Sequence, residues 1–358
     1  MAPAMMHRRR FNQLFATATL GAGVANRLEQ TIWANATDAP AATRGIVLLP
    51  EDLSLTDWPQ RAHTAGLTTI ALHHQSSPAA IVRFVQSSSG KHFLSQCQHL
   101  GLHTEYELHA MKELLPRDLF VDQPDLFRMQ DNGQRTPDAN LCVHSEQALD
   151  IVCRNALRLS DLLKPTTGRY FLWGDDGQPW CRCPKCREYS DSDQALLLEN
   201  RLLLALQSPH SHAQVAHLAY RLTLLPPLRV RPDRGIFLEY APIQRRYDTP
   251  YRGQTGKEAL GALQANLQIF PAATAQILEY WLDVSRFSNW KRPGVKLPFR
   301  EDVVRADVQT YAALGIHHLT SFAAWIDADY VKRFKDLSFI DQYGSILNSS
   351  QRSTTESL

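Results

Sequence analysis

Arg169-Tyr170-Phe171-Leu172-Trp173-Gly174-Asp175-Asp176 is a short aromatic and aliphatic run that ends on a glycine and two carboxylates. A run of this length, closed by a turn residue, reads as a strand buried on both faces, as in a parallel sheet. Seven comparable runs occupy residues 45–50, 68–74, 103–109, 214–222, 235–241, 275–283 and 317–325. Helical spacing fills 81–101 (with a break near 87–90), 146–163, 256–270, 300–314 and 327–338. The clearest helix covers 194–206 and follows Ser190 and Asp193, a capping-box pair. Eight strands interleaved with helices over roughly 300 residues predict α/β architecture, a single TIM-like (β/α)8 barrel with a long loop after strand three. The competing architecture is an open doubly wound sheet. It usually announces itself by a glycine-rich turn after its first strand, and here Pro50-Glu51-Asp52 stands there. Neither a dinucleotide fingerprint, a Walker loop, a nucleophile elbow nor an H-E-x-x-H motif occurs.

The 358 residues are 44% hydrophobic and 21% charged, a globular balance that excludes disorder as the dominant state. No apolar run approaches the ~18 residues of a membrane-spanning helix. Lys and Arg number 38 against 36 Asp and Glu, so the basic excess of a dedicated nucleic-acid binder is missing. Residues 1–36 have the layout of an export signal. Arg8 and Arg9 sit in a basic start, 14–25 are mildly apolar, and Ala34-Asn35-Ala36 fits a cleavage site. Arg8-Arg9-x-Phe11 resembles the twin-arginine consensus, with Asn12 and Gln13 departing from it. The expected layout is an export signal over 1–36, a barrel over 37–343 and a flexible tail over 344–358, in a periplasmic or extracellular protein.

In such a barrel the chemistry lies at the C-terminal ends of the strands. Those ends carry Glu105, Glu107 and His109, then Asp175 and Asp176, His217 and Tyr220, Glu239 and Tyr240, Tyr280, Trp281 and Asp283, and Trp325. Carboxylates among aromatic rings suit a carbohydrate. Glycoside cleavage needs one carboxyl to protonate the leaving oxygen and another to assist at the anomeric carbon, while Trp and Tyr faces stack on sugar rings. Any single strand-end carboxylate is more often structural. The Asp175-Asp176 pair stands out because Leu172 and Trp173 beside it would raise a carboxyl pKa. Glu107, His109, Trp173, His217, Tyr220, Tyr240, Trp281 and Trp325 are the candidate substrate-binding residues.

Residues 170–186 with Ser190-Asp191-Ser192-Asp193, preceded by Tyr106-Glu107-Leu108-His109, Leu115-Pro116-Arg117 and Asn140-Leu141-Cys142, resemble the bacterial domain-of-unknown-function family numbered 4838. His217-Leu218-Ala219-Tyr220 and 237–242 extend the resemblance, which covers roughly 45–340. It implies a glycoside-hydrolase-like TIM barrel, distantly similar to α-glucuronidases and hexosaminidases. An acidic pair after strand four also resembles the hexosaminidase type of site. By that likeness Asp175 would orient an acetamido group and Asp176 would be the acid/base. The alternative pairs Asp176 with Glu239 across the mouth. The implied substrate is an amino-sugar or uronic-acid-containing glycan, and the different-class alternative is a glycan-binding barrel without catalysis.

Cys181, Cys183 and Cys186 lie within six residues of one another in a Gly/Pro-containing loop, and Cys142 is predicted on the same face. Four thiolates would make a structural zinc site stapling the third loop to the fourth, with no open position for catalysis. Two disulfides, as export would permit, and plain free thiols are the other readings. Cys97 and Cys153 fall in helical patterns and read as small buried hydrophobes.

Overall fold

The computed structural model describes residues 42–74, 77–251 and 253–355, so the proposed export segment lies outside the described residues. Eight strands, β1 (Arg44–Leu48), β2 (Thr69–His73), β3 (His103–His109), β4 (Arg169–Trp173), β5 (Gln214–Ala219), β6 (Ile236–Tyr240), β7 (Gln276–Glu279) and β8 (His318–Phe322), close into one barrel. Every neighbouring pair is parallel, and β8 returns to β1 with Thr320 opposite Gly45. The strands are buried on both faces, which is why most of their sequences read as short, mainly apolar runs, with β3 and its Glu105, Glu107 and His109 the exception.

The helices are α1 (Trp58–Thr64), α2 (Pro78–Gln86), α3 (Ser88–His99), α4 (Met111–Leu114), α5 (Glu146–Leu162), α6 (Asp191–Gln207), α7 (Gly253–Asn266), α8 (Val284–Phe287), α9 (Glu301–Ala313), α10 (Ala328–Phe334) and α11 (Ser338–Thr355). The break read near 87–90 is the boundary of α2 and α3, where the Ser87 hydroxyl accepts from Gly90 N. Ser190 and Asp193 form the expected capping box of α6. Two departures stand out. No α-helix lies between β5 and β6, where Pro226, Pro227 and Pro232 cannot supply helical N–H donors. The segment from 344, expected to be a flexible tail, continues α11 to Thr355 and buries Ile346 and Leu347 against the core. The spacing of Tyr343, Ile346 and Leu347 on one helical face outweighs the serines around them. No helix among the described residues is long and apolar enough to cross a membrane.

Strand alternation sorts the side chains into two sets. Glu105, Glu107 and His109 of β3, Arg169, Phe171 and Trp173 of β4, and Gln276, Leu278 and Tyr280 in and after β7 point into the barrel. Deep inside, the Arg169 guanidinium lies 4.0 Å over the Phe237 ring and donates to Gln276 Oε1 at 2.6 Å. Gln276 donates in turn to Glu239 Oε1 at 3.1 Å. The lower barrel is therefore polar and closed, and the open end lies above it.

Candidate active site and thiolate site

The last inward side chains, His73, His109, Trp173, Tyr280 and Phe322, floor a cavity at the C-terminal mouth. The loops that follow add Asp176, Tyr220, Arg221, Asp283, Ser285 and Trp290. His109 Nδ1 lies 2.7 Å from the Gly174 carbonyl and His73 Nδ1 2.8 Å from that of Glu107. A carbonyl oxygen only accepts, so each Nδ1 carries a proton and each neutral ring keeps its lone pair on Nε2. Burial, and next the neighbouring His109, pull His73 down to about 3. Burial also lowers His109, against the opposing pull of Asp176. Both rings are thus neutral acceptors at neutral pH.

Asp176 is exposed at this mouth. The second mouth carboxyl is Asp283, only 4% exposed and raised above its ordinary value by burial. It caps α8, its Oδ1 accepting from Ser285 Oγ at 2.5 Å and Arg286 N at 3.1 Å. Burial lifts Tyr280 well above the usual phenol range, and the charges of Asp283 and Asp176 both push the same way. One phenol therefore feels both carboxylates. Trp290 is 53% exposed and held at φ +54°, an indole presented at the rim.

Asp175 is turned from this cavity into a clamp. Its Oδ2 accepts from Arg117 Nη2 at 2.6 Å and Asn140 N at 2.7 Å, and its own N donates to Asn140 Oδ1 at 2.8 Å. Glu107 and Glu239 do point inward, but one layer too deep, and both are fully buried. Burial raises both carboxyls, Glu239 to about 8 against the pull of Arg169. His217, Tyr240 and Trp281 have the opposite parity and face the helices. His217 Nδ1 meets Glu199 Oε2 at 2.6 Å, Tyr240 Oη donates to Ala259 O at 2.6 Å, and Trp281 Nε1 donates to Asp307 Oδ2 at 3.0 Å. Trp325 lines a separate cleft with Arg292 lying 4.7 Å over its ring. Of the sequence-selected residues, then, His109, Trp173, Asp176 and Tyr220 meet at the mouth.

Cys142, Cys181, Cys183 and Cys186 converge, their sulfurs all within 4.8 Å of one another, in a group able to hold a metal ion. Cys142 Sγ lies 3.8 Å from both Cys183 Sγ and Cys186 Sγ, and no disulfide joins them. The knuckle is propped from α6, where Gln194 accepts from Cys181 N at 3.1 Å and donates to the Cys181 and Cys186 carbonyls. Met129 N donates to Cys181 Sγ at 3.3 Å and Arg135 Nη1 sits 3.9 Å from the same sulfur. These are donors suited to a thiolate.

The profile of a family described as "Domain of unknown function (DUF4838)" matches residues 42–325. The chain belongs to this family. No curated protein matches it in sequence. Among solved structures it is similar in fold to a beta-N-acetylhexosaminidase from Bacteroides fragilis, with TM-score 0.50 and 10% identity over 85% of this chain and 65% of that one. It is also similar to a beta-galactosidase from Marinomonas ef1, with TM-score 0.52 and 10% identity over 86% of this chain and 59% of that one. It thus spans less than two thirds of either protein. This DUF4838 member shares their barrel, and its own side chains must carry the chemistry.

Several mouth residues of this DUF4838 chain were not among the selected candidates, and three of them differ in how far the sequence could have pointed to them. His73 ends β2 and shares inward parity with His109 on the paired strand, which is a usable signal. Asp283 stands at a strand end but reads equally as a helix cap, which it also is. Trp290 sits in a loop with no pattern to place it.

Proposed function

We propose that this protein is an O-glycoside hydrolase whose working carboxyls are Asp176 and Asp283. The observation that carries the reading is their shared position on one mouth, between an exposed indole and two neutral imidazoles. Asp283, whose carboxyl burial raises above its ordinary value, is suited to donate to the leaving oxygen. Exposed Asp176 is suited to act as the carboxylate at the anomeric carbon, either directly or through water. The imidazole Nε2 atoms accept from sugar hydroxyls, which supply donors. Asp175 Oδ2 is engaged by Arg117 and Asn140, and the residue lies outside the cavity that holds Asp176, so direct carboxylate assistance is favoured over an acetamido-orienting role for Asp175. We place the substrate among glycans whose target sugar enters the mouth against Trp290.

The test is a screen of aryl glycosides against the wild-type chain, followed by two variants. Asp176→Asn should lower kcat ~10²–10⁴-fold on every substrate cleaved. Asp283→Asn should do so for poor leaving groups and recover with dinitrophenyl leaving groups, which need no protonation. Binding of glycans without turnover of any glycoside would instead select the non-catalytic barrel.

We further propose that the four cysteines hold a structural zinc. Tetrahedral coordination with Zn–S bonds of ~2.3 Å puts sulfurs ~3.8 Å apart, the separation observed for Cys142 from Cys183 and Cys186. Such a zinc supplies a structural crosslink and, with four thiolates, no site for water or substrate.

A further inference from the structure

The thiolate site and the mouth share one piece of backbone. Asn140 stands two residues before Cys142, fully buried at φ +43°. All of its polar groups are engaged. Besides its two bonds to Asp175, its Nδ2 donates to the Gln178 and Pro179 carbonyls at 3.2 and 3.1 Å, and its own carbonyl accepts from Arg117 Nη1 at 2.7 Å. Trp180, immediately before Cys181, closes on the same spot from the other side. A Cβ placed on Gly174 would lie 2.8 Å from the Trp180 ring and 3.0 Å from Asn140 Oδ1. Gly174 is therefore gripped between residues tethered to two different cysteines. Its carbonyl is the acceptor that fixes His109, and its chain leads directly through Asp175 to Asp176.

We propose that the four-thiolate site sets the catalytic geometry, with Asn140 and Trp180 as positioning residues that transmit metal occupancy to Asp176 and His109. This inference rests on the proposed hydrolase for its catalytic consequence but not for its structural one. With the metal bound, the arms carrying Cys142 and Cys181 are held at a fixed separation, and Gly174–Asp176 has one conformation. Without it the arms part, the Asn140–Asp175 bonds loosen, and both the carboxylate and the imidazole tautomer lose their fixed orientation. A staple acting only on global stability would instead leave the mouth unchanged in every molecule that remains folded.

The experiment compares three samples of the full chain, zinc-loaded wild type, wild type after chelation, and zinc-loaded Asn140→Gly. Glycine keeps the φ > 0 backbone and its two main-chain bonds while deleting the carboxamide. Amide hydrogen exchange is followed by mass spectrometry on peptides covering 139–142 and 173–180, with β1 and α11 as internal references, and metal content is measured in parallel. Chelation and Asn140→Gly should each speed exchange at 173–180 at least tenfold without moving the reference peptides, while Asn140→Gly retains its zinc. On an aryl glycoside found in the screen, Asn140→Gly should lower kcat ~10–100-fold with KM within about threefold, the pattern of a misplaced catalytic group. Unchanged exchange at 173–180 after the zinc has left would overturn the proposal. So would acceleration everywhere at once, which marks a global staple. If Asn140→Gly fails to fold, Arg117→Gln, which removes the second tie on Asp175, takes its place. If no glycoside is cleaved by wild type, the hydrolase reading falls while the exchange data still decide this one.

Discussion

Replacing Asp193 by alanine tests how the loops around the mouth are held. Its Oδ2 accepts from Ser190 N at 3.1 Å and Ser190 Oγ at 2.7 Å, closing the α6 capping box. Its Oδ1 accepts from three successive amides of the β5–β6 connection, Leu228 at 2.9 Å, Arg229 at 2.8 Å and Val230 at 2.9 Å. That connection has no helix of its own, so this carboxylate substitutes for the missing order. Alanine strands three amides and opens the cap. The exposed positions of Leu228 and Arg229 let water reach part of the loop, so each of the three stranded amides costs ~1 kcal/mol, the opened cap costs ~1 kcal/mol more, and the total is about 4 kcal/mol. For a domain of about 310 residues, with an unfolding entropy near 2.1 cal/mol/K per residue, that is a Tm drop of about 6 °C. The drop depends on pH with a definite sign. Burial alone would raise the Asp193 carboxyl, but the Val230, Arg229 and Ser190 donors hold it below the ordinary carboxylate value. A depressed native pKa stabilises fully above the unfolded pKa of ~3.9 and is lost as pH falls through the native value. Melting of wild type and Asp193→Ala by differential scanning fluorimetry should show the full gap at pH 6 and a smaller one at pH 3. A gap under ~1 °C at pH 6, or an equal gap at both pH values, would show that Asp193 does not hold the β5–β6 connection as a carboxylate.

Other outcomes follow from the same geometry. Glu239→Gln should leave kcat within about twofold and Tm nearly unchanged, because the carboxyl is raised to about 8 and is already neutral at pH 7, and a glutamine oxygen still accepts from Gln276. A loss of ~10²-fold or more in kcat would restore Glu239 to the chemistry. Trp290→Ala should raise KM ~10-fold, the equivalent of ~1.4 kcal/mol of lost stacking, without lowering Tm, since the ring is half exposed. An unchanged KM for every glycoside cleaved would remove Trp290 from the substrate site. The purified chain should release one zinc on thiol titration, and Cys186→Ser should abolish that stoichiometric release. Metal-free protein with four freely titrating thiols in its native state would end the zinc proposal.

The barrel was legible in the sequence because burial on both faces leaves eight short, mostly apolar runs set between helical stretches. Strand three matches its expected limits, and the helix after Ser190 ends within a residue of them but starts three residues earlier, at Asp191 directly behind its cap. The thiolate site was legible because cysteine spacing is local and Cys142 needed only the right barrel face. The missing β5–β6 helix was signalled by three prolines in seven residues, and α11 was hidden by its serine content. The mouth was harder. His217, Tyr240 and Trp281 were chosen for standing near strand ends, yet each is an odd step away from the inward set. Parity was already available from β3, where Glu105, Glu107 and His109 alternate, and the parallel register would have carried it round the barrel.

Parity still does not settle depth, and depth is what divides the carboxyls here. Glu107 and Glu239 have the correct parity, but each lies one pleat below the last inward residue of its strand, where Trp173 and the Arg169 layer seal it from solvent. In that layer Glu239 accepts from Gln276, neither Glu107 oxygen has a hydrogen-bond partner, and both carboxyls are fully buried. A carboxyl beyond the last pleat, on a loop, reaches the mouth cavity. Asp176 and Asp283 satisfy that condition from opposite sides of the barrel, and they reach it in different environments, one exposed and one buried as a helix cap. In the proposed hydrolase that difference assigns the buried carboxyl to the leaving oxygen and the exposed one to the anomeric carbon. It arises from loop geometry that no periodicity encodes. On the β4 side the loop is further held by the Asn140–Asp175 clamp, so the adjacent acidic pair in the sequence divides its labour. Asp175 anchors the turn, and Asp176 is thereby presented to the mouth.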